Sequence, residues 1–175
     1  MADKVRVAVI GGGVVGASCL YHLCLRGLTD AVLLEQSELT SGSTWHAAGN
    51  VPTFSTGWGV LKLQQYSAAL YRRLADDPSY PINYHVTGSV RLAHTDERMD
   101  EYRYVLGLAH ANGLAYELLT PAQIRERHPL VELDDIKGAL WDPEDGDIDP
   151  AQLTQAFAAA ARKLGARVQR FTRVT

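Results

Sequence analysis

The chain has 175 residues, 46% of them hydrophobic, with 17 Lys and Arg against 20 Asp and Glu and a formal net charge of −3. That balance excludes the basic footprint of a nucleic-acid surface and the low hydrophobicity of a disordered chain, and the length suffices for a sizeable core. No apolar run is long enough to span a membrane and no secretory pattern precedes Val5; a bacterial-type cytoplasm is expected, and the mitochondrial matrix only if a transit peptide is missing.

In chain order, Val5-Arg6-Val7-Ala8-Val9-Ile10 is β-rich and passes into Gly11-Gly12-Gly13-Val14-Val15-Gly16, which has the G-x-G-x-x-G spacing of a dinucleotide fingerprint. Gly11 is expected to make the tight strand-to-helix turn, Gly13 to let the backbone approach a pyrophosphate, and Gly16 to let helix pack closely on strand. The phosphates would sit at the helix N-terminus, where unpaired N–H groups and the helix dipole favour negative charge. A helical segment through Leu20, Leu23 and Leu28 comes next; it carries Cys19 and Cys24 on different faces, which excludes a disulfide between them and offers no metal site. The next strand, Ala31-Val32-Leu33-Leu34, ends at Glu35. An acid there, about 20 positions past the glycines, suits a pair of ribose hydroxyls and disfavours the 2′-phosphate of NADP. NAD and FAD sites share all of this.

The residues beyond Glu35 and Gln36 separate the two. In Thr40-Ser41-Gly42-Ser43-Thr44-Trp45-His46-Ala47-Ala48-Gly49-Asn50, Ser43 and Thr44 offer hydroxyls and N–H groups to a second phosphate and a ribitol, and Ala47, Ala48 and Gly49 leave room for a flat ring. Together with Thr87-Gly88-Ser89-Val90-Arg91-Leu92-Ala93 and Asp145-Gly146-Asp147-Ile148-Asp149-Pro150, this stretch resembles the dimethylglycine and sarcosine dehydrogenase group of the D-amino-acid-oxidase-like flavoproteins, over essentially the whole chain. The resemblance implies FAD as cofactor. Gly11, Gly13, Val14, Val15, Gly16, Glu35 and Gln36 would surround its ADP half, and Gly42, Ser43, Thr44, Trp45, His46, Ala47, Ala48, Gly49 and Asn50 its second phosphate, ribitol and flavin. It also implies that the main chain of Val174 faces the adenine edge and that His46 is joined covalently to the flavin 8α-methyl. Neutral imidazole suits that task, being a nucleophile near neutral pH.

The activity implied is oxidative demethylation of an N-methyl amino acid. Its partners would be a small-molecule amine, an electron-acceptor protein or oxygen, and folate through a further C-terminal domain. Complete members of the group continue well past this length, so the chain reads as an N-terminal portion, and catalytic residues are expected beyond residue 175. Two alternatives stay open: a non-catalytic relative similar to the regulatory subunit of pyruvate dehydrogenase phosphatase, and an NAD-linked oxidoreductase. Retention of Trp45-His46 favours the flavin enzyme, because a regulatory role needs no covalent flavin.

Further along, Leu63, Tyr66, Leu70, Tyr71 and Leu74 recur at helical spacing and read as a core stripe, closed by Pro78 and Pro81. Strands are expected at 83–86, 89–93 and 139–141, with a helix between the last two presenting Met99, Tyr102, Leu106 and Ala109. Thr120-Pro121-Ala122-Gln123 has the form of an N-cap, N1 proline and capping-box glutamine, and Asp149-Pro150-Ala151-Gln152 repeats it before a helix that Gly165 stops. Residues 166–174 read as a third strand, beside the first. Asp145, Asp147 and Asp149 alternate like a calcium loop, but its sixth and twelfth positions would be Pro150 and Ala156; Asp145 is therefore read as a turn former and Asp149 as an N-cap. His22, His85, His94, His110 and His128 show no metal-binding spacing, and no metal is expected. The fold class is α/β: an incomplete, doubly wound, Rossmann-like FAD-binding domain at 1–80 and 150–175, interrupted at 81–149 by part of an antiparallel α+β substrate domain.

Overall fold

The computed structural model describes residues 4–175. Its elements are β1 (Val7–Ile10), α1 (Val14–Leu25), β2 (Ala31–Leu34), a 3₁₀ turn (Ser43–His46), β3 (Asn50–Val51), α2 (Trp58–Ala75), β4 (Tyr84–Val86), β5 (Ser89–Ala93), α3 (Asp96–Ala111), β6 (Glu117–Leu119), α4 (Pro121–Arg127), β7 (Gly138–Asp142), β8 (Gly146–Ile148), α5 (Pro150–Lys163) and β9 (Arg167–Gln169). They form two compact units. The first comprises the chain up to Gly49, Leu70–Tyr84 and Ile148–Thr175; the second comprises Asn50–Ala69 and His85–Asp147. Residues 50–69, assigned from sequence to the 1–80 segment, group with the second unit.

In the first unit a parallel sheet runs in the order β1-β2-β9. Ala31, Val32 and Leu33 are buried, whereas Arg6, Ala8 and Ile10 are exposed, so β2 is the central strand and β1 an edge. This corrects the expectation for the third strand, which pairs with β2 (Val32 opposite Arg167), not β1, and ends at Gln169, not Val174. The reason is local. Phe171 turns into the left-handed region (φ 55°), and the chain then folds over the end of β2, with Phe171 N–H donating to Ser37 O (3.3 Å) and Thr172 N–H to Glu35 O (2.8 Å).

Helices α1 and α5 pack together through small residues, Ala17 on one and Ala158 and Ala161 on the other, all fully buried. Phe157 of α5 stacks near Tyr21 (5.5 Å) and Tyr71 (6.4 Å), and its burial contributes roughly 1.5–3 kcal/mol. Asp149 caps α5 by accepting from Ala151 N–H (2.8 Å) and Gln152 N–H (3.0 Å), and Gly165 ends the helical segment at φ 107°. Gln152, however, does not close a capping box: its Oε1 accepts from Asn83 N–H (2.6 Å), a partner 69 residues away.

In the second unit an antiparallel sheet runs β5-β7-β6, with Ser89 opposite Asp142 and Glu117 opposite Trp141. Strand alternation sends Ala93 and Leu140 to one face, where α3 packs through Met99, Tyr102, Val105 and Ala109. Val90, Leu92 and Ala139 go to the other, where Ile124 of α4 packs. The capping box of α4 forms as expected, Thr120 accepting from Gln123 and Gln123 from Thr120. A smaller sheet runs β3-β8-β4. The stripe expected on α2 is corrected in part: Leu63 and Tyr66 are 65% and 47% exposed, and the buried positions are Leu61, Ala68, Leu70 and Leu74. The helix changes its buried face because residues 58–69 belong to the second unit and 70–75 to the first. Among the described residues no helix is long and apolar enough to cross a membrane.

Candidate functional site

The turn from β1 into α1 shows why its glycines are glycines. Gly11 has φ 105° and donates to Leu34 O (2.9 Å), tying the turn to β2. A Cβ on Gly16 would lie 2.0 Å from Gly11 O, an impossible approach to a backbone atom. A Cβ on Gly12 would lie 2.8 Å from Glu35 Cγ, and one on Gly13 would lie 2.9 Å from Thr44 Oγ1. The sequence pattern gave no role to Gly12, because the side chain that crowds it lies 23 residues away.

Gly13 is the N-cap of α1, so the N–H groups of Gly13, Val14, Val15 and Gly16 have no acceptor within the helix. Thr44 Oγ1 takes the one from Val14 (3.0 Å). The rest remain at the positive end of the helix dipole, and α1 has no acid in its first turn. A Cβ added at Gly11 or Gly42 would meet nothing within 4 Å, so both flank open space. This donor set and this room fit a diphosphate.

Glu35 follows directly on β2 and is half-buried. Its Oε2 accepts from Gly12 N–H (2.6 Å) and its Oε1 from Ser37 N–H (2.8 Å). Each carboxylate oxygen keeps a further lone pair for another donor. Beside it lies a cleft of about 230 Å³ lined by Ile10, Gly11, Leu34, Glu35, Gln36, Thr172, Arg173 and Val174. Arg173 was not singled out from sequence; it reaches the cleft only because the chain turns at Phe171.

In the segment 40–50, Thr40 takes φ 72° and donates to Gly12 O (3.0 Å), which seats the segment against the glycine turn. Thr44 is buried, whereas Gly42, Ser43, Trp45, His46, Ala47 and Ala48 are exposed. His46 Nδ1 lies 3.1 Å from Gly42 O. A carbonyl only accepts, so Nδ1 carries a hydrogen, and in the neutral ring the lone pair lies on Nε2. The Trp45 and His46 rings lie 4.1 Å apart at 42°. Gly49 (φ 83°) would place a Cβ 2.1 Å from Ile148 O. Asn50 opens β3 in the second unit, opposite Asp147.

The second unit holds a cleft of about 480 Å³ whose polar lining includes Asn50, Thr87, Ser89, Arg91, Asp145 and Asp147. Here the turn-forming role read for Asp145 is corrected. It is 6% exposed and accepts from Thr53 N–H (2.7 Å), Ser89 Oγ (2.6 Å) and Arg91 (3.4 Å). Next to it Asp142 is 1% exposed and accepts from Tyr116 Oη, Thr53 Oγ1 (3.1 Å) and Glu144 N–H (3.0 Å). Burial, reinforced by Asp145, pushes Asp142 up to about 6, and burial with the Asp142 carboxyl raises Tyr116 above the usual phenol range. Exposed His85 pairs with Asp147 (3.2 Å). Among the described residues no cluster of three His, Cys, Asp or Glu could hold a metal ion.

The family model described as FAD dependent oxidoreductase (DAO) matches residues 6–175. Mitochondrial dimethylglycine dehydrogenase of Rattus norvegicus is 44% identical over 163 residues, 93% of this chain and 19% of that protein. Mitochondrial sarcosine dehydrogenase of Homo sapiens is 36% identical over 169 residues, 96% of this chain and 18% of that protein. Among solved structures, L-proline dehydrogenase from P. horikoshii matches with a TM-score of 0.91 at 27% identity, covering 100% of this chain and 46% of that one. The chain spans about a fifth of the length of the two curated relatives.

Proposed function

The chain belongs to the FAD dependent oxidoreductase family, and from that premise we propose that it is the cofactor-binding portion of an enzyme that oxidatively demethylates N-methyl amino acids of the dimethylglycine and sarcosine type, with the flavin tethered to His46. The observation that carries the tether is the exposed imidazole with Nδ1 committed to Gly42 O, on a segment seated against the glycine turn. In the neutral ring that hydrogen bond fixes the tautomer and leaves Nε2 as the nucleophilic atom.

The other roles rest on the same geometry. The free N–H groups at the start of α1, with Ser43, receive the phosphates, and Glu35 accepts from the ribose hydroxyls through its remaining lone pairs. The main chain of Val174, lining the cleft beside Glu35, meets the adenine edge. Bound flavin supplies a two-electron acceptor for the hydride equivalent leaving the N-methyl carbon. Oxygen or an acceptor protein, and folate, are the proposed partners of the full-length protein.

The test uses the full-length protein. Acid precipitation should carry yellow flavin down with the polypeptide, and His46→Ala should release it to the supernatant. Flavin that stays covalently bound in the variant places the link elsewhere. Flavin binding without turnover of dimethylglycine or sarcosine would favour a non-catalytic role, and bound NAD without flavin an NAD-linked one.

A further inference from the structure

We infer that Asp142 and Asp145 hold a single proton between them, and that this proton clamps Thr53, and with it residues 52–57 between β3 and α2, to the β5-β7-β6 sheet.

The sheet register creates the problem that the proton solves. Ser89 faces Asp142 across the ladder, and because Glu117 faces Trp141, Tyr116 comes next in line opposite Asp142. Ser89, Asp142 and Tyr116 therefore project from the face that α3 covers, where the same row holds Ala93 and Leu140 further along. Two carboxyls lie in this row's end at 1% and 6% exposure. Each ionised carboxylate taken from water costs several kcal/mol unless matched. The matching cation is Arg91, 3.4 Å from Asp145 Oδ2. One cation and two carboxyls balance when one carboxyl is neutral.

The hydrogen bonds show which one. Asp145 accepts from the Thr53 amide (2.7 Å) and the Arg91 guanidinium, donors that cannot reverse, and from Ser89 Oγ (2.6 Å). It is the ionised member. The partners of Asp142 Oδ2 are hydroxyls, Tyr116 Oη and Thr53 Oγ1 (3.1 Å), which accept as readily as they donate. A proton on Asp142 Oδ2 can thus pass along a chain in which Thr53 Oγ1 accepts it and donates its own to Asp145 Oδ1 (3.3 Å). The upward displacement of Asp142 to about 6 agrees. Around the pair, the Glu144 amide in the β7–β8 turn donates to Asp142 Oδ1 (3.0 Å), and Asp147, paired with exposed His85 (3.2 Å), lines the cleft that Asp145 and Arg91 border. Once Asp142 ionises, one Thr53 hydroxyl proton must serve two carboxylates, and one arm of the clamp is lost. The clamped segment carries Phe54, whose ring packs on Tyr116 (5.2 Å), and leads into Trp58.

The experiment measures hydrogen exchange at the Thr53 and Phe54 amides of the intact 175-residue chain from pH 4.5 to 8, corrected for intrinsic rates, with carboxyl-carbon NMR titration alongside. Protection at Thr53 should fall by about tenfold or more as pH passes 6, with the Asp142 carboxyl titrating in the same range. Asp142→Asn, neutral at every pH, should hold Thr53 at the low-pH protection throughout. Flat protection in the unmodified chain, an Asp142 carboxyl titrating near 4, or an Asp142→Asn protein with an unprotected Thr53 at every pH would each overturn the inference. Should the variant not fold, the titration of the unmodified chain decides alone.

Discussion

Glu35→Gln separates a preformed cofactor site from one assembled by its ligand. In the native side chain both oxygens accept from backbone N–H groups, Gly12 at 2.6 Å and Ser37 at 2.8 Å. A glutamine keeps the shape but has one acceptor oxygen and one amide nitrogen that only donates, so one of those N–H groups must face another donor. A charge-assisted hydrogen bond of this kind contributes roughly 1.5–3 kcal/mol, and the half-exposed setting lets water recover part of it. The cofactor-free protein should therefore lose about 1–2 kcal/mol of stability in urea. FAD affinity, measured by calorimetry, should fall by a further tenfold or more, because the ribose hydroxyls also lose an acceptor (about 1.4 kcal/mol per tenfold). A variant with unchanged cofactor-free stability and weaker FAD binding would refute the preformed clamp. Unchanged FAD affinity would remove Glu35 from the site.

Three other expectations rest on single contacts. Thr44→Val removes the hydroxyl that accepts from Val14 N–H and should cost about 0.5–2 kcal/mol, whereas Thr44→Ser should retain most of the stability; in chemical denaturation, a loss confined to Thr44→Ser would show that the methyl group matters and the cap does not. Asp142 is raised in the folded state above its unfolded value near 4, so the native chain binds more protons between pH 4 and 6. Its stabilising contribution is complete below pH 4 and is lost as pH rises through 6, up to about 3 kcal/mol, and melting curves of Asp142→Asn should lack this slope. Val174→Pro, which deletes a main-chain N–H, should weaken FAD binding about five- to tenfold while Val174→Ala does not; equal losses in calorimetry would discount the backbone role.

Legibility tracked the range of the interactions. Ser89–Ala93 could be bounded from sequence because its alternation and flanking glycine are local, and the Thr120 capping box because both partners lie within four residues. The third strand was misplaced because choosing between β1 and β2 as neighbour depends on which is buried on both sides, a property of the assembled sheet. Asp145 looked like a turn residue because turns are what Asp-Gly does locally. Its principal donors, Thr53 and Ser89, lie 92 and 56 residues away. The α2 stripe failed for a related reason: one helix serves two units, so no single periodicity describes its buried face.

The fingerprint glycines carry the same lesson into the candidate site. Read from sequence, Gly13 is small so that a pyrophosphate can approach. In the structure the atom that first meets a Cβ there is Thr44 Oγ1, and at Gly12 the crowding atoms belong to Glu35 and Leu39. Both positions are therefore constrained by the chain itself, since Thr44 caps α1 and Glu35 pins the turn. A ligand inherits that arrangement. Thr44 already satisfies the Val14 N–H at the start of α1, and the Glu35 carboxylate is fixed because backbone amides already hold both its oxygens. Rigidity of this kind lowers the cost of ordering a site on binding, and the side chains that supply it, Glu35 and Thr44, reach Gly12 and Val14 from 23 and 30 positions further along the chain.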